Sequence, residues 1–534
     1  MRPINHFLRP FPLAALVGLV SGIVFLGVLG ADFVMWDDDI AIYRNPHLTG
    51  ISLSSLAWAF SDASVTMRYV PLSLLAWSAI HEVWGLNPVG YHLANWLLHI
   101  ANTVLLFFLA RFILVRVHRK STPPSETLIN LSAFSGTLFW AINPLRVETV
   151  AWATTLTYGL ATFFILSSLL AYMRALTTET DPREHHRWMG FSLLLYTASL
   201  LSHPIGMTYF LVLPIIDFFV FKRTSRRKIL VEKGIFAMPA VGIALFAVLF
   251  RLLAPGPYER TAAFSNLELL DRFMQMSHAL AYYVWRSMLP VNLSPVYTTF
   301  LSFDPLSWKF LASMASLLTA GMLIFIVFRK KVPAVAATAA SFLVLALPVT
   351  GLLEHPFFHS DRYAHLATIP LAVLLAGGLH LLLSKYDPKP VLAVILAGLC
   401  AFSLMSAKQV RVWSDSEALF THAIKRIGNH PYRGDLYMRL GKFRFENNQL
   451  DAAAEALNQA LDINPYDPVA NDYLSEIEFS RGQHERAIGR VNKILERHPE
   501  NYSAHAKLAY FYHLLKEPEK AAFHFSRAKE LQRY

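Results

Sequence analysis

Long apolar segments fill the chain up to about residue 407, and a polar, repetitive part follows them. A stretch of about 17–25 apolar residues can cross a bilayer as a helix. The pattern predicts an all-α chain, with a polytopic membrane domain over residues 1–407 and a soluble domain over 408–534. We read about eleven spans, of which the third and fifth are short, near 11–31, 92–115, 128–143, 148–172, 188–202, 204–221, 234–253, 307–328, 333–353, 364–384 and 389–407.

The loops between these segments alternate in their content of Lys and Arg. Basic loops mark the cytoplasmic side of a membrane protein, so we expect a cytoplasmic N-terminus and, with an odd number of spans, an external C-terminal domain. Two external loops are long, 32–91 and 254–306, and aromatic residues in 53–60 and 70–84 predict helices at the membrane surface. The basic loops contain Arg2 and Arg9; Arg116, Arg119 and Lys120; Arg174, Arg183 and Arg187; Lys222, Arg223, Arg226, Arg227 and Lys228; Arg329, Lys330 and Lys331; and Lys385 and Lys389.

The polar part repeats with a period of 34 residues. Two helices per unit, small residues where they cross and a proline after the second helix are the tetratricopeptide (TPR) signature. We predict units at about 434–467, 468–501 and 502–534, preceded by a degenerate half-unit over 415–431. Such a stack has a concave face, which favours binding of a peptide or protein; a folding or oligomerisation module is the alternative. The repeating positions are Leu440, Leu474 and Leu508; Ala453, Ala487 and Ala521; and Pro431, Pro465 and Pro499.

Composition agrees with a membrane chain. Of the 534 residues, 54% are hydrophobic and 16% are charged, whereas soluble domains average about 25% charged residues. A net charge of +11 would suggest nucleic acid in a soluble protein, but membrane topology explains it better, so we expect no nucleic-acid partner. The single cysteine, Cys400, excludes a disulfide framework and a cysteine-ligated metal site.

Three adjacent carboxylates follow the first apolar segment: Asp37, Asp38 and Asp39. Because like charges repel at a membrane surface, at least one should have a raised pKa or a cationic partner. We favour a general base, or an acid paired with one, that acts on an acceptor hydroxyl at the bilayer edge. A hydrated helix end and a metal site are alternatives, although the sequence supplies no clear further ligands beside the triplet.

Other ionisable residues lie at predicted external ends of the spans, where buried charge is costly and usually functional. Arg146 offers a phosphate site and Glu148 a second carboxylate, unless the two pair with each other. Arg362, next to Tyr363, sits where a lipid-linked phosphate would lie. A structural contact between Asp361 and Arg362 is the competing interpretation.

Histidines form a third group of candidates. His92 and His99 share one helical face with two asparagines; they could ligate a metal, but hydrogen bonding between helices is favoured. His203, between the fifth and sixth spans, is ambiguous in the same way. We find no Gly-rich phosphate loop and no zinc spacing, and we assign no metal ligands.

In their order, these motifs resemble the transmembrane and TPR-containing O-mannosyltransferases and their bacterial relatives, which have the GT-C glycosyltransferase fold. The resemblance covers essentially the full length. It departs at Asn143, where relatives often carry His, and at His203, where Lys is common. The motifs are Trp36-Asp37-Asp38-Asp39 with Asn45-Pro46, Gly85-Leu86-Asn87-Pro88, Tyr91-His92-Leu93-Ala94-Asn95 with Leu98-His99, Asn143-Pro144-Leu145-Arg146-Val147-Glu148 with Ala151-Trp152, Tyr283-Val284-Trp285, Leu289-Pro290-Val291-Asn292-Leu293 and Asp361-Arg362-Tyr363.

The resemblance implies an inverting membrane enzyme that takes a hexose from a polyprenyl-phosphate carrier and transfers it to Ser or Thr of exported protein. It implies that the TPR domain holds the acceptor polypeptide, and it leaves a divalent cation open, because relatives differ in needing one. A bacterial inner membrane is the expected location. By position, Asp37, Asp38 and Asp39 would be the catalytic acids, Arg146, Arg362 and Tyr363 would hold the donor phosphate, and Glu148, His92, His99, Asp361 and His203 are further site candidates.

Two alternatives stay open. The first keeps the GT-C chemistry but uses a glycan or a lipid as acceptor. The second is a non-enzymatic scaffold, in which the repeats recruit a secreted partner and the membrane domain is an anchor. An anchor needs one span rather than eleven, which favours the enzyme. The enzyme hypothesis predicts that the aspartates and the distant arginines converge on one pocket at the external face.

Overall fold

The computed structural model describes residues 9–62, 68–118, 125–253, 268–301, 303–328, 333–352 and 359–532. These residues form helices and loops without a strand among them, so the all-α prediction is confirmed for this part of the chain. The chain divides into two compact units, Met1–Ser414 and Asp415–Tyr534. Outside the described residues lie Arg2, Arg119, Lys120, Arg329, Lys330 and Lys331 of the basic loops, and residues 254–267 of the second long loop.

Each of the eleven predicted spans contains a helix in the first unit. Short helical turns connect some of these helices, among them Pro144–Arg146, Val147–Ala151, Ala153–Thr155, Asp361–Tyr363 and Ala364–Ala367. The longer helices are α1 Pro10–Val24, α2 Leu53–Ser61, α3 Pro71–Trp84, α4 Pro88–His118, α5 Glu126–Ala141, α6 Leu156–Thr177, α7 Pro182–Ser202, α8 Arg226–Leu253, α9 Leu269–Met288, α10 Trp308–Phe328, α11 Pro333–Ala346, α12 Ile369–Lys385 and α13 Pro388–Val410.

Six helical segments of the described residues are long and apolar enough to cross a membrane. The first unit is therefore a membrane domain. The number becomes seven if Asp361–Ala367 and Ile369–Lys385, bent by 58° at their junction, form one span. Pro10–Val24 and Pro333–Val349 are shorter apolar helices. The total of eleven spans, and with it the side of the C-terminal unit, stays a prediction. The six are Pro88–His118, Ala153–Thr177, Pro204–Phe221, Arg226–Leu249, Trp308–Ile326 and Pro388–Trp413.

Small residues allow the helices of the first unit to approach closely, as is usual in membrane proteins. A Cβ atom on Gly136 of α5 would lie 2.7 Å from the Cβ of Ala376 in α12, so only glycine fits this crossing. Between α6 and α7, the hydroxyls of Ser168 and Ser192 each donate to the backbone carbonyl of the other residue at 2.8 Å. Helices α10 and α13 leave most of their apolar surface exposed, as lipid-facing helices do.

Both helices predicted within the first long loop are present as α2 and α3. A capping box of Ser52 and Ser55 begins α2, and a proline at the first turn begins α3. Trp77 of α3 is fully buried, beside Leu74 and Tyr91. This loop therefore packs into a shared core with Ala153 and Leu156 of the membrane unit, and the described part of the second long loop contains α9.

The second unit begins with α14 Ser416–Ile427 and continues as three helix pairs, one in each predicted repeat. At the crossings Ala453 and Ala487 are buried and Ala521 is half-buried, and a Cβ on Gly441 would lie 2.6 Å from Leu457. The unit begins after Ser414, beyond the predicted boundary at 407, because α13 continues to Val410 and Trp413 stacks on Trp152 at 5.5 Å. The pairs are α15 Arg433–Glu446 with α16 Leu450–Ile463, α17 Pro468–Ser480 with α18 His484–Arg497, and α19 Tyr502–Leu514 with α20 Pro518–Leu531.

Candidate functional site

The loop after α1 turns the carboxylate of Asp38 into the protein interior, where its side chain is 0% exposed. Its Oδ2 accepts the backbone N–H of Val34 at 2.9 Å, and its Oδ1 accepts both the backbone N–H of Thr154, at 2.9 Å, and the Thr154 hydroxyl. Burial raises the pKa of Asp38 to about 7, although these hydrogen bonds lower it. The charge of Asp37 adds a smaller increase. One carboxyl of the triplet thus has the predicted raised pKa, but desolvation rather than mutual repulsion is its main cause.

The two flanking aspartates have different environments. Asp37 is exposed, whereas Asp39 is 5% exposed and begins a π-helical turn, Asp39–Tyr43. Such turns occur frequently at functional sites. His92 of α4 holds the start of the same loop, because its Nε2 lies 3.3 Å from the backbone carbonyl of Asp32. Of the three acids, Asp37 is therefore the one that a soluble acceptor can reach.

Glu148 and Arg362 form a buried ion pair. The guanidinium of Arg362 donates to Oε1 of Glu148, and the backbone N–H of Arg362 donates to Oε2 at 3.2 Å. The guanidinium carbon also lies 5.1 Å from the centre of the Trp152 ring and 4.8 Å from that of Tyr363. The Glu148 side chain is 3% exposed and that of Arg362 is 18% exposed. Arg362 is thus fixed in orientation while part of its side chain stays accessible.

Asp361 does not serve as the partner of Arg362, which was the competing interpretation. Its Oδ1 accepts the hydroxyls of Tyr282, at 2.5 Å, and Tyr297, at 3.0 Å. Burial raises the pKa of both phenols above their usual value, so they remain donors. Asp361 therefore has a structural role, but its partners are two tyrosines of the second long loop instead of Arg362.

Arg146 is buried to 1% exposure, and its Nη1 donates to the backbone carbonyl of Ala364 at 3.0 Å. Its guanidinium carbon lies 5.2 Å from the centre of the Trp140 ring. The alternative interpretation, a pair between Arg146 and Glu148, is not found, since Glu148 pairs with Arg362. In this structure Arg146 therefore holds the segment Asp361–Ala367 in place, and its phosphate-binding role stays a prediction, since almost none of its surface is accessible.

The histidine face of α4 makes hydrogen bonds to neighbouring backbone. Nε2 of His99 lies 3.0 Å from the carbonyl oxygen of Ala141, and Nδ2 of Asn95 donates to that of Trp152 at 2.8 Å. These contacts favour interhelical hydrogen bonding over metal ligation. In the part of the chain that the structure describes, no three or more His, Cys, Asp or Glu side chains are grouped as metal ligands.

His203 is buried at the end of α7 and caps the turn that follows. Its Nδ1 accepts the backbone N–H of Ile205 at 3.0 Å, and its ring centre lies 4.1 Å from that of Tyr158. Its Nε2 has no hydrogen-bond partner among the described residues. The main role of His203 in this structure is therefore to cap the following turn, and its Nε2 can still bind another group.

Segment 144–155 carries the contacts of both charged groups. The ring of Trp152 lies against the guanidinium of Arg362, and Thr154 binds the carboxylate of Asp38. Positions two residues apart are at most about 7 Å apart along the backbone. Asp38 of the first loop and the guanidinium of Arg362 thus both contact segment 144–155, at positions two residues apart, although 324 positions separate them in the sequence.

Sequence reasoning missed several residues of this site. Thr154 carries no signal, because a threonine at the start of an apolar helix is common. Trp152 enters the sequence analysis only as part of a motif, and Tyr282 and Tyr297 have no assigned role there. The two tyrosines and Trp152 are aromatic residues in loops between spans, and that feature could have brought them to attention.

Comparison with known proteins adds to this geometry. A family model described as tetratricopeptide repeat matches residues 407–468 and 475–534. The human "Protein O-mannosyl-transferase TMTC2" is 30% identical over 230 residues, which cover 41% of this chain and 25% of the relative. The mouse "Protein O-mannosyl-transferase TMTC4" is 23% identical over 489 residues, which cover 82% of this chain and 64% of the relative.

A solved structure, "Crystal Structure of ArnT from Cupriavidus metallidurans bound to Undecaprenyl phosphate", aligns with 93% of this chain and 80% of its own, at a TM-score of 0.36 and 12% identity. The chain spans between a quarter and just under two thirds of the length of the two mannosyl-transferase relatives. The repeats and the sequence matches confirm the resemblance, and the chain is a relative of the transmembrane and TPR-containing O-mannosyltransferases.

Proposed function

We propose that the chain is an inverting membrane glycosyltransferase with GT-C architecture. It transfers a hexose from a polyprenyl-phosphate carrier to Ser or Thr hydroxyls of exported protein. The observation that carries the proposal is that Asp38 and Arg362 both contact segment 144–155, because one segment then positions the acidic loop and a partly accessible arginine. The names of the mannosyl-transferase relatives support a hexose, mannose, as the transferred sugar.

The chemistry follows from the exposure of each acid. Asp37 accepts the proton of the acceptor hydroxyl, whose oxygen forms a bond to the anomeric carbon of the sugar. The bond from that carbon to the phosphate oxygen breaks on the opposite face, so the configuration inverts and polyprenyl phosphate leaves. General bases contribute about 10²–10⁴-fold to rate. When Asp38 ionises, its charge makes the neighbouring Asp37 more basic, since like charges favour protonation.

Arg362 binds the departing phosphate. A guanidinium has five N–H donors, and the Glu148 pair orients the group without using all of them. Charge-assisted hydrogen bonds from arginine to phosphate are short and strong. Tyr363 lies against the same guanidinium, while Arg146 positions the backbone that follows. Asp361, His92, His99 and His203 support the surrounding loops.

The membrane location follows the sequence topology. We place the reaction on the external side of a bacterial inner membrane, with the N-terminus in the cytoplasm and the TPR unit outside. There the TPR unit holds the acceptor polypeptide. We assign no role to a divalent cation.

A transfer assay tests the proposal. The full chain in membranes receives a polyprenyl-phosphate hexose and a Ser/Thr-containing exported polypeptide, and intact mass reports added sugar. Asp37→Asn should lower the rate by about 10²–10⁴-fold. Asp32→Asn is the matched control, because Asp32 lies in the same loop and is exposed, and its carboxylate accepts only the adjacent N–H of Phe33 among the described residues.

Three results would contradict the proposal. Equal rates for Asp37→Asn and the control would remove Asp37 as the base. Sugar found on a glycan or lipid, with none on protein, would favour the alternative acceptor. A wild-type chain that captures a secreted partner but transfers no sugar would favour the scaffold.

A further inference from the structure

A recess of about 450 Å³ opens in the second unit between α14, α15 and α16. Its size is in the range of ligand pockets, about 300–1,000 Å³. Ile424 and Leu440 supply apolar surface, and Thr421 and Gln459 supply groups that can hydrogen-bond to a peptide backbone. The recess therefore offers both apolar and polar contacts to a ligand.

The charges of the recess are positive in excess. Lys425, Arg433 and Arg444 face Glu455 in its lining. Arg444 is neutralised by Glu417, whose two carboxylate oxygens accept from Nη2 at 2.6 Å and from Nε at 3.0 Å. Within the described residues, neither Lys425 nor Arg433 has a carboxylate at salt-bridge distance. Two cations of the recess are therefore left without an anionic partner in the part of the chain that the structure describes.

Arg433 is held in a fixed orientation with a donor to spare. Its Nη1 donates to Oδ1 of Asn429 and its Nη2 to the hydroxyl of Tyr437, both at 2.9 Å. The guanidinium carbon lies 5.4 Å from the centre of the Tyr437 ring. Its Nε is buried and has no hydrogen-bond partner among the described residues. A fixed guanidinium loses little conformational entropy when it binds an anion.

We propose that this recess binds a carboxylate of an extended polypeptide, with Arg433 as the main contact and Lys425 as a second cation. The uncompensated charges require an anion, and the backbone-binding groups beside apolar surface fit a peptide better than a free small acid. The identity of that peptide as the exported acceptor rests on the proposed function. The carboxylate comes from an acidic side chain or from the C-terminus of the peptide.

Fluorescence polarisation with the full chain in detergent measures this binding without a sugar donor. The probes are a Gly/Ser/Thr peptide with glutamates and an amidated C-terminus, the same peptide with glutamines, and the glutamine peptide with a free C-terminus. Arg433→Gln should weaken binding of the carboxylate peptide about tenfold, which corresponds to about 1.4 kcal/mol. Lys425 is exposed, so we expect Lys425→Gln to fold normally and to weaken binding of the carboxylate peptide less than Arg433→Gln does.

The control is Arg527→Gln, because Arg527 is an exposed arginine of the same unit that pairs with Glu530 one helical turn away. Its affinity should equal that of the wild type. The glutamate peptide tests a side-chain carboxylate, and the glutamine peptide with a free C-terminus tests a terminal carboxylate. The proposal is supported if either of them binds more tightly than the amidated glutamine peptide. Equal binding of all three peptides, or equal affinities for Arg433→Gln and Arg527→Gln, would overturn it. If the wild-type chain binds the carboxylate peptide but transfers no sugar, the proposed function is refuted and the binding proposal stands.

Discussion

Replacing Thr154 by valine should shift the pH dependence of sugar transfer to higher pH. The Thr154 hydroxyl donates to Oδ1 of Asp38, and this contact stabilises the charged form of a carboxyl that is fully buried. Valine has nearly the same shape but no hydroxyl. The substitution therefore removes one hydrogen bond to the carboxylate and leaves the two backbone donors, from Val34 and residue 154, in place.

The hydrogen bond that is lost sets the size of the shift. A hydrogen bond to a charged group contributes about 1.5–3 kcal/mol, and 1.36 kcal/mol corresponds to one pKa unit. The pKa of Asp38, about 7 in the wild type, should therefore rise by about 1–2 units. Because transfer is fastest when Asp38 is ionised, the rate should increase with pH through about 7 in the wild type and about 1–2 units higher in Thr154→Val.

The assay is the pH dependence of kcat/KM for transfer to a Ser/Thr peptide. Thr154→Ser keeps the hydroxyl and should keep the wild-type midpoint. Thr155→Val is the matched control, because the Thr155 hydroxyl donates to backbone carbonyls, including that of Trp152 at 2.5 Å, and not to Asp38. It should lower the rate without moving the midpoint. If Thr154→Val and the wild type have the same midpoint, the contact does not control the ionisation that the reaction needs.

Three further predictions concern the ion pair and the repeats. Glu148→Gln should destabilise the first unit by about 3–5 kcal/mol, because it leaves the charge of Arg362 without its partner; thermal unfolding measures this, and an unchanged Tm would contradict the pairing. Gly441→Ala should destabilise the second unit by about 1–3 kcal/mol, because its Cβ would lie 2.6 Å from a facing leucine; Gly489→Ala, whose Cβ would meet nothing within 4 Å, should be neutral or stabilising. Burial, and the charge of a facing histidine, lower the pKa of His524, so the folded state disfavours its protonation and the second unit should lose stability as pH falls below about 6.5. His524→Gln should flatten that dependence in denaturant titrations, and an unchanged slope would refute the assignment.

The helices and the repeats were predictable because their signals are periodic. Apolar runs long enough to span a bilayer predict eleven helical segments, and each of them contains a helix in the first unit. The 34-residue spacing predicts the three helix pairs of the second unit. The number of spans is harder to derive from the sequence, since α5 is only 16 residues long and α7 begins with charged residues. Whether such a helix crosses the bilayer depends on its length and on the polarity of its ends, and tertiary packing determines where the helix ends.

The charged residues of the candidate site could be named from the sequence, but their contacts could not. The acids and arginines stood out because charge is costly near apolar segments. Which of them pair is a property of the tertiary fold, and Glu148 and Arg362 are 214 positions apart. Arg146 and Arg362 look alike in sequence, yet the first is buried against backbone and the second is partly accessible. Burial of a single side chain depends on packing from several distant segments, which local sequence does not record.

The most direct test of the central claim is the stereochemistry of transfer by the purified chain. The full chain in a bilayer is incubated with a polyprenyl-phosphate hexose of known anomeric configuration and a Ser/Thr peptide, and NMR determines the configuration of the glycopeptide. We predict a hexose on the hydroxyl with the opposite configuration, formed by the wild type and lost in an Asp37→Asn, Asp38→Asn double variant. Retained configuration, or unchanged transfer by the double variant, would contradict the account.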